Sequence, residues 1–295
     1  MQPNRNRRLQ RIAATSIGVG GLVLLLKLLA WWVTGSIALL SDALESLVNV
    51  ATAVTTLLAV RYAARPVDRT HPYGHAKAEL LSAAIEGGLI IAAALVILQQ
   101  AIAGLASPPV LTSGPAGLAL NAAASVVNGL WCIILIREGR RHLSPALEAD
   151  GHHLLSDVIS SLGVLGGTMA ALLTGWAILD PATACLVALH VLLTGAKVLW
   201  SAGRGLMDEA PPEDIMTTLR QTIAGHAQEA TDVHDLRARR AGRQIFADVH
   251  LVVPASMTVD HAHGICDRIE AQLAKTLPDC SLTIHIEPDP QPARG

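Results

Sequence analysis

Two pairs of residues combine ligand chemistry with helical spacing in stretches that are otherwise apolar: Glu45 with Asn49, and His153 with Asp157. Side chains four apart share one face of an α-helix, about 6 Å from each other. Each pair therefore points two donor groups the same way. If the two faces meet, the four residues form a shell of carboxylate, amide, imidazole and carboxylate, which suits a borderline or moderately hard divalent cation. Glu45 and Asp157, both ionised, neutralise a dipositive ion. Without the ion, two desolvated carboxylates side by side take up protons, and His153 must lose its proton before it can ligate. Such a pocket holds either metal or protons, which is what exchange requires. Asp42 lies on the same helical stripe as Glu45 and Asn49, within about 60°, and is a candidate accessory ligand. Cross-helix hydrogen bonding is the structural alternative for either pair alone; two pairs in two spans favour ligation.

The elements that must position these pairs are long and apolar. Of 295 residues, 51% are hydrophobic and 16% charged, too apolar for an ordinary soluble domain. Six segments, roughly 11–33, 36–62, 79–106, 115–137, 145–174 and 178–200, can each cross about 30 Å of hydrocarbon. The loops alternate: one set carries Arg61, Arg65, Arg69 and Lys77, then Arg137, Arg140 and Arg141, while the other carries almost no basic residues. By the positive-inside rule both termini are cytoplasmic, and Trp31, Trp32, Trp176 and Trp200 fall near span ends as interfacial anchors. The expectation is a multi-pass protein of the lipid bilayer, in a bacterial inner membrane. Ionisable side chains at bilayer depth are costly and mark ion or proton paths. Lys27 and Lys197 read as snorkelling or paired groups, whereas Glu86 and His190 are candidate proton relays. The stretch Met1–Arg11 reads as a basic cytoplasmic flank of the first span, without a signal-peptide cleavage site. Four cysteines lack C-x-x-C spacing, so free thiols are expected. The net charge of −2 says nothing about nucleic acid, because the basic residues sit in loops beside apolar spans, and no nucleic-acid partner is expected.

After Asp208 the composition turns soluble, opening on Pro211 and Pro212. This divides the chain into 1–208, a six-helix membrane domain, and 209–295, a small α+β domain in the cytoplasm. Its periodicity reads helix, strand, strand, helix, strand. Ile245, Ala247, Val249 and Leu251 alternate with Phe246, Asp248, His250 and Val252 as a half-buried strand, and Leu282, Ile284 and Ile286 alternate with Thr283, His285 and Glu287. An amphipathic helix is expected over Thr258–Leu277.

The paired ligands, the Asp68-x-x-His71-x-x-x-His75 loop, the phrase HPYGHAKAE from His71 to Glu79, and Asp180-Pro181 opening the sixth span resemble the cation diffusion facilitator family over almost the whole chain. The resemblance implies a homodimer with a ferredoxin-like cytoplasmic domain, moving divalent metal out of the cytosol in exchange for protons. Carried over position by position, the transport site is Glu45, Asn49, His153 and Asp157. Asn49 departs from the commoner pattern, which has aspartate there; a neutral amide cannot titrate, so fewer protons per ion are expected. Asp68, His71 and His75, on a loop bent by Pro72 and Gly74, match a second metal site. His234, His250, His263, His285 and Glu287 match a regulatory metal site of the cytoplasmic domain, with His285 and Glu287 on one face of a strand. Lys77 and Asp208 match a charge interlock between the two portions. His226 and His261 match nothing and read as solvated.

Zinc is the first expectation as substrate and regulator, with iron(II), cobalt, manganese and cadmium open; a histidine ligand disfavours calcium and magnesium. No organic cofactor is implied. A membrane-anchored metal sensor or scaffold dimer that moves no ion is the rival from another class. An enzyme is disfavoured: His71 and His75 lack a general-base glutamate between them in a helix, and no phosphate-binding loop is present.

Overall fold

The computed structural model describes residues 3–34, 37–106, 115–176 and 178–289. Two compact units result, residues 2–203 and 204–295. The first consists of six long helices: α1 (Pro3–Thr34), α2 (Ile37–Ala63), α3 (Ala78–Ala106), α4 (Pro115–Arg141), α5 (Pro145–Thr174) and α6 (Leu179–Leu206), whose last turn enters the second unit. Among the described residues, stretches of α1, α3, α4 and α6 are long and apolar enough to cross a membrane. Helices α2 and α5, which the sequence also reads as spans, are comparably long at 27 and 30 residues. They carry the buried polar groups described below.

Why α1 starts at Pro3, well before the expected span, follows from its neighbours. Arg8 extends its guanidinium to both carboxylate oxygens of Glu138, at 2.9 Å each, which ties the basic flank to the end of α4. Leu9, Val60, Cys132, Leu135, Ala146, Leu147 and Leu154 bury together at that end, drawing α1, α2, α4 and α5 into one core. Close approaches use glycine. A Cβ at Gly151 would lie 2.9 Å from the Ile136 nitrogen, and one at Gly87 would lie 2.8 Å from the Leu199 nitrogen, so α4–α5 and α3–α6 pack backbone to backbone. Small residues permit such contacts where no aqueous hydrophobic drive exists. Outward faces are apolar: Leu25, Leu58, Leu130, Ile133, Leu186 and Leu193 are all more than half exposed, as a surface facing hydrocarbon must be.

In the second unit, α7 (Glu213–His226), β1 (Asp232–Ala241), β2 (Gln244–Val253), α8 (Val259–Thr276) and β3 (Cys280–Pro288) follow in the expected order. The sheet order is β1-β2-β3, with β1 antiparallel and β3 parallel to β2. The described residues form three strands, one short of a complete ferredoxin-like pattern. Thr258 caps α8 by accepting from the His261 amide at 3.3 Å. Ile223, Val249, Leu251, Val253, Ile265 and Ile269 form its core, so both helices cover one face of the sheet and leave the other open. Leu251 is fully buried there. Leu251→Ala should cost ~2–5 kcal/mol, read as earlier loss of protease resistance in the C-terminal unit of the full chain.

Candidate metal centres

Helices α2 and α5 bring three of the four expected transport-site residues together. His153 Nε2 lies 2.8 Å from Asn49 Oδ1, and Asn49 Nδ2 donates to Asp157 Oδ2. Asn49, His153 and Asp157 are 4%, 4% and 8% exposed, so the cluster is shielded. The side chains of Glu45 and Asp42 lie outside the described residues, although both positions fall within α2. With its oxygen toward histidine and its nitrogen toward carboxylate, Asn49 joins His153 to Asp157. A cation entering between them must take over the amide oxygen, the imidazole nitrogen and the carboxylate, so metal competes directly with this internal hydrogen-bond chain.

Residues 64–77, after α2, hold a second cluster. Asp68 Oδ1 accepts from the Thr70 amide at 2.9 Å, the Thr70 hydroxyl at 2.8 Å and the His71 amide at 2.7 Å. Those bonds, the Thr70 hydroxyl first and the His71 amide next, hold the Asp68 carboxyl well below the usual carboxylate range. It is therefore ionised and able to ligate at neutral pH. Gly74, at φ 85°, lets the chain turn so that His75 comes back to Asp68, Nε2 to Oδ2 at 3.3 Å. The His71 and His75 rings stand 4.4 Å apart, with Tyr62 edge-on to His75. One donor atom from each of Asp68, His71 and His75 fits within 4.8 Å of the others. His75 Nδ1 is buried with no hydrogen-bond partner among the described residues, leaving that ring under-satisfied without a further ligand.

On the open face of the sheet, strand register lines up three histidines: His234 opposite His250, and His250 opposite His285. Glu287 sits two residues beyond His285 and so on the same face. Its carboxylate reaches His250 Nδ1 at 2.9 Å, His285 Nε2 at 3.6 Å and His234 Nε2 at 3.7 Å. His234, His250 and Glu287 meet the distance condition for a shared ion. A register shift after His234, with Asp235 at φ 52°, kinks β1 beside this row. His263 is not brought to it: α8 packs on the covered face, and His263 sits on α8, mostly exposed, 3.8 Å from Asp267. If this cluster holds a divalent metal, Glu287→Ala should weaken its binding by on the order of 100-fold, the upper end of the 10–100-fold typical of losing a group that orients a ligand. Zinc titration of the full chain measures it.

Of the interlock pair, Asp208 bonds Arg239 at 2.9 Å within the C-terminal unit, and Lys77 belongs to the other unit. Reading the sequence missed Asp150. It lies three residues before His153 and seven before Asp157, hence on the same face of α5. Buried at 1% exposure, it accepts from Ser16 of α1 at 2.9 Å, and Ser16 in turn accepts from Trp131 of α4 at 2.9 Å. The i,i+3 spacing to His153 was the available signal.

A family model described as the cation efflux transmembrane domain matches residues 13–207, and one described as the cation efflux protein cytoplasmic domain matches 211–289. The chain belongs to the cation efflux family. Among curated relatives of this family, the transporter sll1263 of Synechocystis sp. is 40% identical over 276 residues, covering 94% of this chain and 89% of the relative. The cation-efflux pump FieF of Escherichia fergusonii is 30% identical over 288 residues, covering 98% and 95%. Among solved structures, the Zn form of CzrB, named as a zinc transporter, is 38% identical, covers 30% of this chain and 99% of the solved chain, and has a TM-score of 0.27. The family assignment agrees with the cation diffusion facilitator resemblance read from the sequence, and makes the helical unit a transmembrane domain of a transporter.

Proposed function

We propose that this cation efflux protein exports a divalent transition metal, zinc first, by exchanging it for protons at the α2–α5 pocket. The observation that carries this reading is the buried meeting of Asn49, His153 and Asp157 from two helices. An imidazole and a carboxylate in one shielded pocket can each hold a proton or share a dication, so occupancy by one excludes the other. Glu45, one turn from Asn49, completes the charge balance. The arginine-bearing loops and the helix lengths support six spans with both termini cytoplasmic, and we place them in a bacterial inner membrane. Alternating access then carries the single pocket from one side to the other.

The other two clusters fit a resident metal by donor set and spacing. Asp68, His71 and His75 would hold one ion at the cytoplasmic mouth; His234, His250, His285 and Glu287 would hold another on the sheet. A bound ion there supplies a cross-link that stiffens loop or sheet. We read the domain boundary near 208/209, a homodimer through the ferredoxin-like domain, His263 reaching a sheet cluster only from a second copy, and a Lys77–Asp208 interlock as parts of the same proposal.

The test is reconstitution into liposomes with a metal dye and a pH dye inside. Zinc-driven metal entry with opposed proton movement is expected. Metal binding and domain compaction without flux would instead identify the sensor or scaffold.

A further inference from the structure

Beyond the pocket, α3 contributes a glutamate that none of the three clusters uses. Glu86 is 0% exposed, about two turns into a helix long and apolar enough to span a membrane. Its Oε1 accepts from the Thr56 hydroxyl of α2 at 2.6 Å and from the Ser82 hydroxyl at 3.2 Å. Its Oε2 is buried with no hydrogen-bond partner among the described residues. With both donors on Oε1, Oε2 is the oxygen that can take a proton.

The surroundings explain why a proton belongs there. Glu86 interacts electrostatically with Asp150 of α5, another carboxylate. Helix α2 faces it with Thr56, which is neutral, and α6 meets the adjoining Gly87 with the backbone of Leu199. No described cation among these offsets two carboxylates in a buried site, so one proton is the means of holding them together. Asp150 in turn interacts electrostatically with His153 and Asp157. Along α5 it stands about 10 Å of helical rise from Asp157, so charge at the pocket is felt at the pair. His190, the other relay expected from the sequence, is exposed on α6.

We propose that Glu86 is a second proton-carrying site of the exchange, which supplies the carrier that Asn49 cannot. The inference rests on the antiport reading and deepens it. When a dication enters the pocket, the O–H bond at Glu86 Oε2 breaks and the proton passes to water; when the ion leaves, water returns it. Glu86 touches no metal in this scheme.

The experiment counts protons released per zinc bound by the full-length protein in weakly buffered detergent solution with a pH indicator. In Glu86→Gln, which fixes the neutral form, zinc affinity at neutral pH should fall about tenfold while the count falls by about one; Glu86→Asp should restore both. In liposomes, proton counterflow per zinc should fall in parallel. An unchanged count in Glu86→Gln beside normal wild-type exchange overturns this inference alone. Zinc flux in the wild type with no proton release sinks the exchange reading as well. Loss of zinc binding in Glu86→Gln would make the residue structural and also overturn the proposal. Should that variant not fold, Thr56→Val, which strips a hydroxyl from Oε1, is expected to shift the pH midpoint of zinc-driven proton release; no shift overturns it.

Discussion

Replacing Asp157 by alanine should abolish metal-driven flux and lower the affinity of the α2–α5 pocket for zinc at least ~100-fold. Two unit charges 4 Å apart interact by about 4 kcal/mol at an effective dielectric constant near 20, and each 1.4 kcal/mol is about tenfold in affinity. A dipositive ion doubles the attraction, while desolvation takes part of it back. Asp157 is 8% exposed and is held by the Asn49 amide, so its charge is both shielded and oriented. Asp157→Asn keeps the shape and loses the charge, and should fail nearly as completely. Flux assays in liposomes, paired with zinc titration, separate a lost ligand from a lost fold. Normal flux in either variant would move the transport site elsewhere.

Asn49→Asp should raise the protons exchanged per zinc by roughly one and tighten zinc binding. The amide nitrogen now donates to Asp157 Oδ2 and its oxygen meets His153 Nε2. A carboxylate at 49 keeps the oxygen toward histidine but sets two acids edge to edge where a donor faced an acceptor. Below neutral pH those acids share a proton in the metal-free state, and a dication displaces it. Dual-dye liposome assays over a range of pH read the ratio directly. An unchanged ratio would mean that residue 49 is outside the titrating set. Combined with Glu86→Gln, the two changes should offset each other if both positions carry protons.

The stripe on α2 and the His153–Asp157 pair were legible because helical spacing alone puts ligands on one face, and apolar flanks make each polar residue conspicuous. Strand β2 was legible for the same kind of reason: Ile245, Ala247, Val249 and Leu251 recur at every second position, and the structure buries those four. The partners of Asp150 were not legible. Ser16 lies far from it in sequence, Trp131 reaches it only through Ser16, and Glu86 interacts with it electrostatically, all through the packing of four helices. Helix α1 extends to Pro3 for a similar reason, since the Arg8–Glu138 pair spans 130 positions. His263 looked equivalent to the strand histidines by residue type, yet the helix that bears it covers the opposite face of the sheet. Local pattern reveals which groups share a face; which faces meet depends on long-range contacts that periodicity does not encode.

The sharpest test isolates the pocket. In a background of Asp68→Ala, His234→Ala and Glu287→Ala, which disables the loop and sheet clusters, zinc titration should still find one ion per chain with protons released. Adding Asp157→Ala should remove it. No bound zinc in that background, or one whose affinity ignores Asp157, would contradict a transport site between α2 and α5.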